Sequence, residues 1–336
     1  MTVVTDELTV SGAVRALCDQ SSEVHVRPRY EGNNICTWIG FKHVNYLVEE
    51  AVLEHFRKAG LSSRRLFEEF GLGVDIVALD TRILNAFHLD DSGIATVVPT
   101  IGTDDNTLSF TVTIVRDGSR TKDVTSKVTV LLRIDTYIEE PAELPAELSR
   151  FAVRRLATSA PGELIKEADT TSLAAGRGSA AAPENDPVLA SLTDGRNAFG
   201  WKWRIPYPYC HNNERLQMSG YLRQMEEVVD LFLADRGISI KTLLDERRWI
   251  PVVPHSEITF LDEALMEENL YTVYTVEEIF KDFTYRSRMD TYVVRDGRLV
   301  QTATGVITHG YAVIENRRDW RLVNFDQRVL SALGGR

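Results

Sequence analysis

The sequence is poor in cysteine, and its few cysteines show no pairing pattern. Cys18, Cys36 and Cys210 lie far apart in the 336 residues, and no CxxC spacing occurs. Disulfide frameworks and zinc sites depend on several cysteines at characteristic spacings. We therefore expect a reducing compartment, with neither a disulfide framework nor a zinc site.

Long apolar runs and an excess of basic residues are also missing. No apolar run approaches the ~18 residues of a membrane span, and the N-terminus carries acid instead of a basic segment followed by an apolar one. The net charge of -11 disfavours binding to a phosphate backbone, although the same acidity could serve solubility alone. These absences predict a soluble cytoplasmic protein that binds neither nucleic acid nor membrane.

The short motifs of several enzyme classes are absent as well. The sequence contains no Gly-rich phosphate-binding loop, no HExxH and no GxSxG. We expect no cofactor and no metal ion.

What the sequence does contain is a duplication of about half the chain. At a constant offset, residues of the first half fall on identical residues of the second: Arg27 on Arg204, Tyr30 on Tyr207, Glu49 and Glu50 on Glu226 and Glu227, and Gly60 on Gly237. After residue 84 the offset grows by two, so that the Val-Arg-Asp-Gly of residues 115–118 falls on that of residues 294–297. Self-similarity at a long offset indicates a duplicated unit.

The duplication predicts two domains joined by a linker. We assign residues 1–157 to an N-terminal domain, residues 158–198 to a flexible linker and residues 199–336 to a C-terminal domain. Residues 168–187 are rich in Ala, Gly, Ser and Thr, a composition that buries too little apolar surface to fold.

Each copy repeats one order of elements. Apolar residues at three- and four-residue spacing predict long helices over Phe41–Lys58 and Met218–Asp235, followed by short helices over Ser63–Phe70 and Ile240–Arg247. Alternating segments predict strands at 23–30, 74–84, 93–103, 108–115 and 127–135, and at 201–207, 250–261, 269–280, 284–293 and 299–314. Residues 1–22 read as a polar lead-in, and 145–156 as a closing helix. This order predicts the α+β class, with an antiparallel sheet wrapped around one central helix.

The loop before the first long helix carries a family resemblance. Residues 30–37 read Tyr-Glu-Gly-Asn-Asn-Ile-Cys-Thr, and a helix glutamate follows Tyr30 at Glu49, as Glu226 follows Tyr207. This pattern resembles the hot-dog fold of the 4-hydroxybenzoyl-CoA thioesterase type, whose motif begins Tyr-Glu-Asp-x-Asp-x-x-Gly. The resemblance implies a tandem double hot-dog that acts on an acyl thioester of acyl carrier protein or CoA. Single hot-dogs pair, so one chain with two copies can be a monomer that forms an internal pseudo-dimer, or it can be a homodimer.

The chain departs from the motif at two positions in each copy. The family's catalytic aspartate corresponds to Asn34 and His211, and its glycine to Thr37 and Glu214. In the first copy, asparagine at the aspartate position is similar to the pattern of the hot-dog thioesterases of enediyne polyketide pathways. In the second copy, histidine with a helix carboxylate is similar to the pattern of the hot-dog 3-hydroxyacyl dehydratases. Their spacing is one residue shorter than that from His211 to Glu226, and their Pro-rich loop is absent here.

The loop of the second copy is richer in functional groups than that of the first. His211 could act as general base or acid, and Glu214 could activate water or orient the imidazole. Asn213, Arg215 and Tyr221 are candidate substrate-binding residues. The alternative is a helix cap and a solvated turn.

The first copy offers Asn34 as a candidate catalytic residue and Thr37 as a candidate substrate-binding residue. Asparagine can position water but cannot accept a proton, and Asn34 could instead be a turn residue. One glutamate of each mid-helix pair, Glu49–Glu50 and Glu226–Glu227, is a candidate acid or base with a raised pKa, although spacing does not say which. We expect Arg27 and Arg204 to pair with helix glutamates and His43 to be structural.

These residues favour a thioesterase that hydrolyses a polyketide- or fatty-acid-type chain. Two alternatives remain open at this point. One is a hot-dog dehydratase or hydratase that uses His211. The other is a non-catalytic acyl-thioester or carrier-protein binding module, since both copies lack the family's aspartate.

Overall fold

A computed structural model describes residues 9–100, 106–137, 143–167 and 186–335. The chain divides into two compact units, the first formed by Met1–Asn33 and Thr37–Arg155, and the second by Leu156–Arg336 together with residues 34–36. In the described residues, no helix is both long enough and apolar enough to cross a membrane.

The first unit consists of one sheet and four α-helices among its described residues. Its helices are α1 (Val10–Asp19), α2 (Phe41–Lys58), α3 (Ser63–Phe70) and α4 (Ala146–Ser149). Its strands are β1 (Ser22–Val26), β2 (Leu72–Ile83), β3 (Gly93–Thr100), β4 (Leu108–Arg116), β5 (Val124–Ile134) and β6 (Ala152–Val153). The long strands pair antiparallel in the order β1-β3-β4-β5-β2, and α2 packs against four of them.

The second unit repeats this arrangement. Its helices are α5 (Pro187–Thr193), α6 (Met218–Asp235), α7 (Ile240–Arg247) and α8 (Gln327–Leu333). Its strands are β7 (Ala198–Arg204), β8 (Trp249–Phe260), β9 (Asn269–Phe280), β10 (Thr284–Arg295), β11 (Arg298–Ile314) and β12 (Trp320–Val323). The order β7-β9-β10-β11-β8 matches that of the first unit strand for strand, and α6 lies against the sheet. The predicted α+β class and the duplication are confirmed.

Residues at equivalent positions begin and end the short helices of the two copies. The side chain of Ser62 accepts a hydrogen bond from the Arg65 N–H at the start of α3, and Ser239 does the same for Thr242 at the start of α7. Both helices end in a left-handed residue, which is Gly71 in the first copy and Arg248 in the second.

Two ion pairs that join a strand end to a loop recur in the two copies. Arg27 binds Asp90 at 3.1 Å, and its counterpart Arg204 binds Glu267 at 2.9 Å. The expectation that these arginines pair with helix glutamates is wrong, because loop carboxylates lie closer to the strand ends. The hairpin arginines pair similarly: Arg116 with Asp91 and Arg295 with Glu268.

Two terminal segments of the first unit differ from the prediction. The polar lead-in contains α1, where Thr9 caps the helix and Ala13, Val14 and Leu17 form a buried face. The predicted closing helix over 145–156 is limited to α4, after which β6 pairs parallel with β5.

Residues on both sides of the low-complexity segment belong to the second unit. In an arm formed by residues 156–167, the N–H groups of Thr158, Gly162 and Ile165 donate to carbonyls of that unit at 2.8–2.9 Å. Asp186 caps α5 and binds the Lys202 ammonium at 3.2 Å, with both side chains largely buried. Residues 168–185 lie outside the described residues, and the domain boundaries at 157 and 199 stay a prediction.

The two ends of that segment lie beside one side chain. Tyr271 donates a hydrogen bond to Glu167 at 2.9 Å, and the Lys202 ammonium that binds Asp186 lies 5.1 Å from the centre of the Tyr271 ring. Glu167 and Asp186 therefore lie at one place on the second unit.

Candidate functional site

The motif loop of the first unit begins as one turn of 3-10 helix over Tyr30–Gly32. A side chain at Gly32 would meet the His43 ring at 2.9 Å, so the loop approaches α2 more closely than any larger residue permits. His43 is buried, contacts the Tyr46 ring edge-on and lies 3.9 Å from Glu31. These contacts agree with a structural role for His43.

Asn34 and Thr37 lie in the exposed part of this loop. Cys36 has a left-handed backbone with φ of 67°, which turns the chain between them. The Thr37 hydroxyl forms a 2.9 Å hydrogen bond with His88 Nδ1, and burial lowers the pKa of His88. Thr37 thus has a protein partner.

Glu49 differs from its neighbour Glu50 on α2. The Glu49 side chain keeps partial contact with solvent, yet the surrounding protein atoms desolvate its carboxylate. This burial raises the pKa of Glu49 to about 7, with further contributions from the negative charges of Glu50 and Asp75. Glu50 is exposed, with Arg29 at 3.9 Å. The structure therefore distinguishes the members of this pair, which the spacing could not do.

A buried arginine forms an ion pair with Asp75. Arg133 of β5 is 2% exposed, and its Nε lies 3.7 Å from the Asp75 carboxylate of β2. The negative charge of Asp75 is one of those that raise the pKa of Glu49. A carboxyl group with a pKa near neutrality exists in both protonation states at pH 7, and can therefore accept and return a proton.

The motif loop of the second unit forms a small hairpin. Cys210 bridges Leu216, Asn212 has a left-handed backbone with φ of 54°, and Asn213 Oδ1 accepts a hydrogen bond from the Arg215 N–H at 2.9 Å. Asn213 thus holds the turn together. His211 is exposed on it.

His211 and Glu214 lie in this one loop. Although the His211 imidazole reaches solvent, neighbouring atoms desolvate it enough to lower its pKa, so it is neutral at pH 7 and can accept a proton. The Glu214 charge adds to burial in raising the pKa of the Cys210 thiol to about 11. Cys210 is therefore protonated at neutral pH and is a poor nucleophile.

The other predicted residues of the second unit have structural contacts. Arg215 pairs with Glu263 at 3.3 Å, with both side chains mostly buried. Tyr221 is 1% exposed, and its ring packs 4.5 Å from that of Phe260 in the core. Glu226 and Glu227 are half-buried on α6. Their roles, like those of the other candidate residues, stay predictions.

Sequence reasoning missed three polar residues near the first motif: Asp75, His88 and Arg133. Asp75 and Arg133 stand inside apolar strand segments, where a charged residue is unusual, and that signal could have identified them. His88 has no such signal, because its contact with Thr37 depends on the tertiary fold. Among the described residues, no cluster of three or more His, Cys, Asp or Glu side chains is arranged to hold a metal ion.

Comparison with known proteins supports the fold and finds one family model that matches part of the chain. Residues 207–333 match the sequence model of the Thioesterase-like superfamily. No curated protein sequence matches the chain.

Three solved structures resemble the chain over nearly its whole length. The 12:0-ACP thioesterase from Umbellularia californica has a TM-score of 0.54 at 10% identity, covering 90% of this chain and 98% of its own. An acyl-ACP thioesterase from Bacteroides thetaiotaomicron scores 0.51 at 10% identity, covering 86% and 97%. A candidate oleoyl thioesterase from Lactobacillus plantarum scores 0.55 at 9% identity, covering 89% and 97%. The likeness covers both units and confirms the tandem double hot-dog fold.

Proposed function

We propose that this tandem double hot-dog chain is a thioesterase that hydrolyses an acyl thioester of acyl carrier protein or CoA. The Glu49 carboxyl group, with its pKa near 7, carries the proposal. Similarity to two acyl-ACP thioesterase structures and to a thioesterase-like family model supports the substrate class. The acyl group we propose is a polyketide- or fatty-acid-type chain.

In the proposed reaction, Glu49 acts as general base. Its carboxylate accepts a proton from a water molecule, and the water oxygen adds to the thioester carbonyl carbon. The tetrahedral intermediate then collapses as the carbon–sulfur bond breaks. The proton held by Glu49 passes to the leaving thiolate, which releases a free thiol and a carboxylic acid.

Roles for the loop residues follow from their chemistry. We propose that the amide of Asn34 hydrogen-bonds to the developing oxyanion or positions water, since an amide donates but takes no proton. His211 and Glu214 form a second proton-accepting set in the second unit. Single variants at Asn34 and His211 will tell which loop contributes to turnover.

The decisive experiment compares Glu49→Gln with Glu50→Gln on a panel of acyl-CoA and acyl-carrier-protein thioesters. Mass spectrometry of the intact carrier or thioester reports each reaction. We expect wild type and Glu50→Gln to release free thiol, and Glu49→Gln to lose 10²- to 10⁴-fold in kcat, roughly the range for a general base. Glu226→Gln is the matched control, because Glu226 is the residue of the second copy that corresponds to Glu49.

Two results would contradict the proposal. Gain or loss of one water with the thioester intact would identify a dehydratase or hydratase. Binding of thioesters without any mass change, in wild type and variants alike, would identify a binding module.

A further inference from the structure

The second unit buries four polar aromatic side chains together. Tyr274, Tyr285, His309 and Tyr311 are each 1% exposed or less, and we refer to them as the tyrosine–histidine cluster. Tyr285 of β10 lies directly opposite His309 of β11, and their rings stack at 4.8 Å. The Tyr274 ring packs 4.9 Å from Phe232 of α6, which places the cluster on the helix-facing side of the sheet.

The polar atoms of this cluster have no hydrogen-bond partners within the described part of the chain. The three phenol oxygens and both ring nitrogens of His309 are buried without one. The Tyr274 hydroxyl lies close enough to Ser287 and Tyr285 for these groups to affect its ionisation, but no hydrogen bond of normal geometry joins them. Buried polar groups in native proteins are almost always paired, so five unpaired atoms in one cluster indicate a ligand group.

The surroundings of the cluster are aromatic and uncharged. The Phe325 ring contacts Tyr285 and Tyr311 edge-on, and Trp249 lies 5.9 Å from Tyr311. Burial lowers the pKa of His309 to about 3, so its imidazole is neutral at pH 7 and offers one donor and one acceptor. A charged ligand group would find no counter-charge among these side chains, whereas a neutral hydroxyl or carbonyl would find both donors and acceptors.

We propose that the tyrosine–histidine cluster binds an uncharged oxygen, a hydroxyl or a carbonyl, carried by an acyl chain that is bound within the second unit. The identity of the ligand as an acyl chain rests on the proposed function. The cluster then makes the enzyme selective for oxygen-substituted acyl groups over plain hydrocarbon chains, because a plain chain leaves the buried polar atoms unpaired.

Binding of non-hydrolysable thioether analogues of acyl-CoA tests this selectivity without hydrolysis. Titration calorimetry would compare a plain chain with chains of equal length that carry one hydroxyl or keto group at successive carbons. We expect at least one oxygenated analogue to bind wild type about tenfold more tightly, which corresponds to one added hydrogen bond. Tyr285→Phe and Tyr311→Phe should each reduce this preference while keeping the affinity for the plain chain.

The matched control is Tyr292→Phe, because Tyr292 lies on the opposite side of β10 and should leave the preference unchanged. The imidazole NMR signals of His309 in wild-type protein provide a readout that needs no variant. They should shift with the preferred oxygenated analogue and not with the plain one.

Equal affinity of all analogues, with unshifted His309 signals, would overturn the inference and indicate that the cluster binds internal water. If an oxygenated analogue binds more tightly but no thioester is hydrolysed, the result would support the role proposed for the cluster and refute the proposed thioesterase activity.

Discussion

The Glu49 carboxyl group holds its proton to a pH near 7 because it is desolvated and lies near two other carboxylates. A general base works only after it has lost its proton, so its pKa sets the lower limit of the active pH range. The pH dependence of hydrolysis is therefore a direct report on this residue.

We predict that kcat/KM rises about tenfold per pH unit below pH 7 and levels off above it. Glu50→Gln removes one of the negative charges that raise the pKa of Glu49, so the inflection should move to lower pH with the plateau kept. Steady-state rates at constant ionic strength would measure both profiles. A Glu50→Gln profile that moves to higher pH would contradict the assignment.

The lowered pKa of His309 leads to a separate prediction about the stability of the protein. Its pKa is about 3 in the folded protein and about 6.5 in an unfolded chain, so the unfolded state binds more protons between these values. The free energy of unfolding should be highest above pH 6.5 and should fall as pH drops toward 3, by up to about 1.4 kcal/mol per unit.

Denaturant midpoints followed by tryptophan fluorescence would measure this dependence. His309→Leu should flatten it, while His25→Gln, which changes an exposed imidazole of β1, should not. An unchanged slope in His309→Leu would mean that other groups cause the acid sensitivity.

At the scale of elements, α7 ends less favourably than its counterpart α3. Arg248 adopts φ of 57° where the first copy has Gly71 at φ of 62°. A left-handed conformation costs a residue with a Cβ roughly 1 kcal/mol more than it costs glycine. The two copies therefore offer a reciprocal test of the same position.

We predict that Arg248→Gly raises the free energy of unfolding by about 0.5–1 kcal/mol, and that Gly71→Ala lowers it by a similar amount. Arg248 is exposed, so the substitution removes little packing. Thermal melts of the two variants and of wild type would measure both changes in stability. Destabilisation by Arg248→Gly would show that the arginine side chain makes a contribution larger than the backbone strain.

The elements that sequence can predict are those with strong local signals. The long helices α2 and α6 have a clear apolar stripe, and α3 and α7 have serine caps, so the predicted bounds of all four agree with the structure to the residue. The short helices α1, α5 and α8 escape prediction. Each has only a few buried residues, and its stability depends on the packing of those residues more than on its own periodicity.

The candidate site is predictable to a similar extent. The duplication and the motif spacing are enough to single out the Glu49–Glu50 pair. The distinction between the two glutamates depends mainly on burial that no local pattern encodes, and to a smaller extent on Asp75, a residue of a distant strand. The unpaired polar atoms of Tyr285 and His309 likewise come together only through strand pairing, which places the two rings side by side.

At the scale of the whole molecule, the residues described on both sides of the low-complexity segment belong to the second unit. The chain has already joined the second unit before Glu167, and Asp186 re-enters beside the same tyrosine. Removing residues 168–185 therefore leaves the connection between the units in place.

We predict that replacing residues 168–185 with a Gly-Ser linker of about six residues preserves folding and activity. The thermal midpoint and kcat/KM should match those of wild type, because the anchors Glu167 and Asp186 remain. Asp186→Ala is the contrasting variant, and it should destabilise the second unit by removing both the cap of α5 and the largely buried ion pair with Lys202. Loss of folding in the replacement alone would contradict this reading.

The arm of residues 156–167 also affects how the gene can be divided. A break between codons 177 and 178 would give one polypeptide that carries this arm and another that carries the carbonyl groups to which the arm binds. The second piece alone would expose the carbonyls of Leu261, Gly297 and Leu299 that Thr158, Ile165 and Gly162 normally occupy. The two pieces, made in one cell, should therefore recognise each other and purify together as a split protein.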